Sequence, residues 1–164
     1  MDMTTKEHSP MAIDFRKILA HVEIFKGLSP SELDLISGLC EHHKYRNGDV
    51  IFTEHSKGKD IYVIIKGRVC IELGIKGKTD FATIQRLGDS ELFGELALVS
   101  SGPRSATARC ETDCETIIIS REALFDLFTS NNRIGYVVMT NLASLLATRL
   151  RKTNLQLLAC FLWE

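Results

Sequence analysis

Between Gly88 and Thr107 the chain reads Gly-Asp-Ser-Glu-Leu-Phe-Gly-Glu-Leu-Ala-Leu-Val-Ser-Ser-Gly-Pro-Arg-Ser-Ala-Thr, and its residue types are those that bind an anion. Phe93-Gly94-Glu95-Leu96-Ala97-Leu98 reads as a short helical turn entered through glycine. Such a turn offers unpaired backbone N–H groups and a dipole that favours negative charge. Ten residues beyond Gly94, Arg104 brings a planar, permanently charged fork suited to a phosphate. Pro103 stiffens its approach, Ser105 adds a hydroxyl donor, and the small Ala106 leaves room. Glu95 sharpens the reading, because a carboxylate beside a phosphate repels the ligand unless it has a separate partner. A ribose hydroxyl is such a partner, as in dinucleotide sites where an acidic residue accepts from the sugar. A phosphate clamp and a sugar carboxylate within ten residues point to a nucleotide.

These residues need a scaffold, and the flanking sequence describes one. Ser29-Pro30-Ser31-Glu32 offers a hydroxyl cap, a proline at the first helical position and a glutamate three residues on, which predicts a helix carrying Leu33, Leu35, Ile36 and Leu39. A short amphipathic helix is expected over Met11 to Ala20, after a disordered leader at 1–10. From Tyr45 the texture becomes β-prone: Val50-Ile51-Phe52 follows the turn Asn47-Gly48-Asp49. Ile61–Ile65 and Val69–Leu73 flank Lys66-Gly67-Arg68 as a hairpin signal. Phe81, Thr83 and Ile84 follow the turn region Gly74–Asp80, and Ile117-Ile118-Ile119 ends the series. Short strands with glycine-punctuated turns predict a mainly β fold, a jelly-roll (double-stranded β-helix) barrel over about 42–120, with N-terminal helices.

Helices are expected over about 121–158. One starts at Ser120-Arg121-Glu122-Ala123 and ends at Asn131-Asn132. A long C-terminal helix then runs from about Ile134 to Leu158, with no proline and, after Gly135, no glycine. Val138, Leu142, Leu145, Leu146 and Leu150 share a broad face. At about 35 Å this helix exceeds what a small barrel covers, which points to a partner, the same helix of a second subunit (a homodimer) or another protein, the alternative being a helix folded back on its own barrel. The barrel and these helices make one domain over 11–158, with 159–164 as an apolar tail.

Phe93-Gly-Glu-Leu-Ala followed by Pro103-Arg-Ser-Ala-Thr resembles the phosphate-binding cassette of cyclic-nucleotide-binding domains, the family of catabolite activator proteins and regulatory subunits of cAMP-dependent protein kinase. Asn47-Gly-Asp-Val-Ile through Asp60-Ile-Tyr-Val-Ile-Ile-Lys-Gly67 resembles the family's first half-barrel, and the likeness covers roughly 13–155. The resemblance implies that Glu95 holds the ribose 2′-hydroxyl and Arg104 the cyclic phosphate. Backbone amides around Gly94, Leu96 and Ala97, and around Ser105 and Ala106, would complete the phosphate shell. Gly48, Gly67 and Gly88 match turn glycines that do not touch ligand. The family's cGMP-selective sites often place threonine after the arginine. Ser105 stands there instead, so the ligand implied is cAMP before cGMP. Alignment with the long helix of catabolite activators puts Thr153 and Asn154 where polar residues reach the adenine.

Catabolite activators continue into a winged helix-turn-helix, and nothing up to Glu164 supplies a recognition helix. The expectation is therefore a non-catalytic sensor, either stand-alone or trimmed from a longer chain, with an unknown downstream protein. Two alternatives share the fold: an interaction module that has lost its ligand, and a sensor of another effector such as a cyclic dinucleotide or haem. The five histidines are scattered, no serine or cysteine nucleophile sits in an activating motif, and no metal cluster suits a phosphodiesterase. The five cysteines contain no CxxC pair, which argues against a zinc site. A net charge of −1 offers no broad nucleic-acid footprint. No apolar run approaches the roughly 20 residues of a membrane span, and no signal peptide is visible, so a cytoplasmic setting is expected.

Overall fold

The hydroxyl of Ser29 accepts from the Glu32 backbone N–H while the Glu32 carboxylate accepts from the Ser29 N–H, a reciprocal cap that starts a helix with Pro30 in its first turn. This helix, α2 (Pro30–Ser37), follows α1 (Phe15–Leu19) and a 3-10 turn at Glu23–Phe25. The computed structural model describes residues 13–75, 77 and 80–162. The expected leader at 1–10, part of the Gly74–Asp80 turn and the last two residues of the expected tail lie outside them.

Eight strands follow: β1 (Cys40–Tyr45), β2 (Val50–Phe52), β3 (Asp60–Lys66), β4 (Val69–Gly74), β5 (Phe81–Leu87), β6 (Leu92–Phe93), β7 (Thr107–Cys110) and β8 (Cys114–Ser120). They form two antiparallel four-stranded sheets, ordered β1-β8-β3-β6 and β2-β7-β4-β5, the expected mainly β jelly roll. The β-branched runs of β3 and β8 have a direct cause in this arrangement. Ile61, Val63, Ile117 and Ile119 pack against the helices, while Tyr62 and Ile64 face the second sheet. A strand covered on both faces reads as a continuous apolar run rather than an alternation.

One local expectation fails. β3 and β4 do not pair as a hairpin: β3 pairs with β8 and β6, and β4 with β5 and β7. The chain at Gly67 crosses between sheets with φ of 107°, and a Cβ there would meet the Asp113 carbonyl at 2.5 Å. The same glycine serves a crossover instead of a hairpin turn, a distinction that local composition does not carry.

The short α3 (Leu96–Val99) lies in the cassette, α4 spans Arg121–Ser130, and α5 spans Asn132–Leu162. Ile134, Val138, Leu142 and Leu145 are buried at spacings of four, four and three, one face of a helix. Asn141 donates from Nδ2 to the carbonyls of Ile24 and Lys26, tying α5 to the N-terminal turn. The separate tail expected from residue 159 is not a separate element as far as Leu162. Nothing between Gly135 and Leu162 can stop a helix, so α5 runs on. Its distal apolar residues Leu150, Leu155, Leu157, Leu158, Phe161 and Leu162 are exposed.

Candidate functional site

Gly94 closes β6 with φ of 74°, the left-handed region that glycine enters without steric cost. The turn it makes delivers Glu95 to the start of α3, and both Glu95 and Arg104 come to line one cavity of about 560 Å³. Phe93, Leu96, Ala97, Ser105 and Ala106 line it from the cassette, and Ile71, Leu73, Ile84 and Gln85 from the second sheet. Leu146, Arg149, Leu150 and Thr153 of α5 line its remaining side. A largely apolar cavity of this size with a few convergent polar groups is the usual form of a small-molecule site.

Arg104 is buried, at 6% exposure. Its Nη2 donates to the Asp60 carbonyl at 2.9 Å and its Nη1 makes a longer 3.4 Å contact to the Gly94 carbonyl. Its guanidinium lies 4.2 Å over the Phe52 ring, and its Nε is buried with no hydrogen-bond partner among the described residues. It is in no ion pair among the described residues. A buried cation held only by carbonyl dipoles and an aromatic face retains an uncompensated positive charge, which favours an anion in the cavity. Gly58 makes this position possible: a Cβ there would stand 2.8 Å from Arg104 Nε. Two backbone bonds, His55 N–H to the Arg104 carbonyl at 2.8 Å and Arg104 N–H to the Ser56 carbonyl at 2.9 Å, fasten the residue to the β2–β3 loop.

Glu95 is also buried, and it does not pair with Arg104. Its Oε1 accepts from Arg149 Nη1 at 2.6 Å, and Arg149 Nη2 donates to the Leu92 carbonyl at 2.7 Å. Arg149 belongs to α5, so the cassette turn and the long helix are joined at the cavity wall. Sequence reasoning missed Arg149. The available signal was a carboxylate expected to be buried in an apolar pocket, which needs a cationic partner, together with a cation on the cavity side of α5.

Of the other expected site residues, the structure brings Gly94, Leu96, Ala97, Ser105, Ala106 and Thr153 to the same cavity. The Ala97 N–H is occupied by the Gly94 carbonyl at 3.2 Å. Ser105 is exposed at the rim. Thr153 Oγ1 donates to the Arg149 carbonyl at 3.0 Å. Asn154, one position further along α5, is exposed and does not line the cavity. At 100° per residue, the neighbour of a cavity-facing helical position turns away from it.

A family model described as "Cyclic nucleotide-binding domain" matches residues 42–131. The chain is 36% identical over 134 residues to the "Cyclic AMP receptor protein" of Thermus thermophilus, covering 82% of this chain and 60% of that one. It is 29% identical over 125 residues to a Drosophila melanogaster "cGMP-dependent protein kinase, isozyme 2", covering 75% of this chain and 13% of that one. Among solved structures, a cyclic nucleotide-binding domain from Methylobacillus flagellatus superposes with a TM-score of 0.78 at 23% identity, over 88% of this chain and 81% of that one. The chain spans about 60% of the length of the first of these relatives. With the jelly roll, the buried Arg104 and the cassette turn in place, the matched segment exceeds half of the sequence, and the chain belongs to the cyclic nucleotide-binding domain family.

Proposed function

We propose that the chain is a non-catalytic sensor whose ligand is cAMP in preference to cGMP, and that ligand binding is transmitted to α5. The observation that carries the reading is the buried, carboxylate-free guanidinium of Arg104 in the cavity wall. It takes the cyclic phosphate, and the neighbouring Glu95 takes the ribose 2′-hydroxyl. Gly94, Leu96, Ala97, Ser105 and Ala106 form the shell around the phosphate, with Thr153 beside the base. Serine at position 105 and the relative named for cyclic AMP favour cAMP.

Transmission follows from the Glu95–Arg149 pair. A sugar hydroxyl donating to Glu95 changes what Arg149 gains from the same carboxylate, so ligand and helix position are linked. A ligand moves such an equilibrium only by its difference in affinity for the two arrangements. The exposed apolar stretch from Leu150 to Leu162 supports a second copy of α5 as the helix's neighbour. Sedimentation equilibrium with Leu158→Lys as the comparison tests that dimer. A dimeric parent and a monomeric variant support it, and a monomeric parent refutes it.

The ligand is tested by thermal denaturation with each nucleotide in turn. A ligand at one hundred times its Kd stabilises the folded state by about 2.7 kcal/mol. The expected result is a clear rise in Tm with cAMP and a smaller one with cGMP at equal concentration. No rise with either nucleotide overturns the reading, and a larger rise with cGMP overturns the selectivity.

A further inference from the structure

A second cavity of about 450 Å³ adjoins the first across Gly58 and the 100–103 segment. Its walls carry His55, Lys57 and Lys59 from the β2–β3 loop, Arg121 from the start of α4, and the hydroxyl residues Ser100 and Ser101. No carboxylate is among its lining residues. Lys57, Lys59 and Arg121 enter no ion pair among the described residues. His55 alone has an acidic neighbour, Glu54, at 3.4 Å.

Two features distinguish this cluster from scattered surface charge. Arg121 is pre-positioned: its guanidinium lies 4.5 Å over the Phe125 ring, and its buried Nε has no hydrogen-bond partner among the described residues. The loop carrying the other cations is held in shape by its two backbone bonds to Arg104, and His55 within it has φ of 64°, an uncommon conformation for a side-chain-bearing residue. Three permanent cations facing one concavity repel one another, and no acid among the described residues offsets them in an ion pair. An anion in the cavity removes that repulsion and supplies acceptors to Arg121, the lysines and the serine hydroxyls.

We propose that this cavity is a second anion site, separate from the nucleotide pocket, for a small molecule bearing a diphosphate group. A single phosphate is smaller than the space and carries less charge than the three permanent cations. A diphosphate matches both, with enough oxygens to engage Arg121 on one wall and the lysines on the other. The site does not depend on which cyclic nucleotide, if any, occupies the neighbouring pocket.

The test is calorimetric titration of the full chain with inorganic pyrophosphate, repeated with ADP. Three proteins are compared: the parent, Lys57→Ser/Lys59→Ser and Arg104→Ala. The two lysines are exposed and make no hydrogen bond or ion pair among the described residues, so their removal leaves the fold intact. A melting curve checks this. The expected result is saturable binding to the parent, at least tenfold weaker binding to the double-lysine variant, and affinity within twofold of the parent for Arg104→Ala. Tighter binding of ADP than of pyrophosphate identifies a nucleoside diphosphate, and the reverse identifies an inorganic one. The proposal is overturned if the parent does not bind either ligand at millimolar concentration, or if the double-lysine variant binds as the parent does. It is also overturned if Arg104→Ala alone abolishes binding, which would put the anion in the nucleotide pocket.

Discussion

Gly94→Ala tests whether the cassette turn really positions Arg104. An L-residue in the left-handed region costs roughly 1–2 kcal/mol. The new Cβ would also stand 2.9 Å from Arg104 Nη1, 3.1 Å from the Asp60 carbonyl and 3.3 Å from the Tyr62 ring. Asp60 is held in β3 by its pairing with Ser120, so the carbonyl cannot withdraw cheaply. The guanidinium must give way, with an overpacking cost of about 1–3 kcal/mol. The sum is about 2–5 kcal/mol, which for a domain of this size lowers Tm by roughly 5–15 °C. Displacing Arg104 should also weaken cAMP binding about tenfold or more, since each 1.4 kcal/mol is about a factor of ten. Gly48→Ala is the control, because Gly48 has φ of 88° with nothing within 4 Å of a new Cβ, so it incurs the backbone cost alone. Melting by circular dichroism and titration calorimetry are the assays. If Gly94→Ala melts no lower than Gly48→Ala and binds cAMP like the parent, the close contact with Arg104 does not govern the site.

Arg149→Met removes the 2.6 Å bond to Glu95 and the 2.7 Å bond to the Leu92 carbonyl, leaving a buried carboxylate without its partner. Urea unfolding should show a loss of about 1–3 kcal/mol, and no loss would mean the pair does not join α5 to the cassette. The hydrogen bond from the Arg133 guanidinium, with help from the Ser29 N–H, lowers the Glu32 pKa from 4.5 to about 2. A depressed carboxylate stabilises the folded state above its unfolded pKa and loses that contribution as pH falls through the folded one. Stability should therefore fall between pH 4.5 and 2, and Glu32→Gln should flatten that part of the urea-stability profile. An unchanged slope would refute the assignment. Of the five cysteines Cys160 alone is exposed, while burial pushes the Cys40 and Cys110 thiols up to about 12. A thiol reagent at pH 8 should modify one cysteine rapidly and the rest only on unfolding. Two fast thiols would contradict this packing.

Much of the scaffold is legible because its determinants are local. The Ser29–Glu32 cap, the break at Asn131-Asn132 and the β-branched runs each lie within a few residues of what they specify. The cassette is legible for the same reason: Gly94, Glu95 and Arg104 occupy one short stretch, and the fold returns them to one cavity. What escaped was set by distant partners. β1, with the sequence Cys-Glu-His-His-Lys-Tyr, has no apolar signature, because it is a half-exposed edge strand whose pairing with β8 supplies its structure. β7 looked like the end of the cassette, yet it is the strand that joins β2 to β4. The Gly67 turn looked like a hairpin because turn chemistry does not encode which sheet the next strand enters. Arg149 lies 54 residues from Glu95, beyond any spacing rule.

The central claim is that Arg104 holds its charge in reserve for a cyclic phosphate, and calorimetric titration of the parent and Arg104→Ala with cAMP tests it most directly. One or two charge-assisted bonds at about 1.5–3 kcal/mol each predict saturable binding by the parent and binding weakened at least tenfold in the variant. Equal affinity in the two proteins, or a parent that takes up no cyclic nucleotide, would contradict the account.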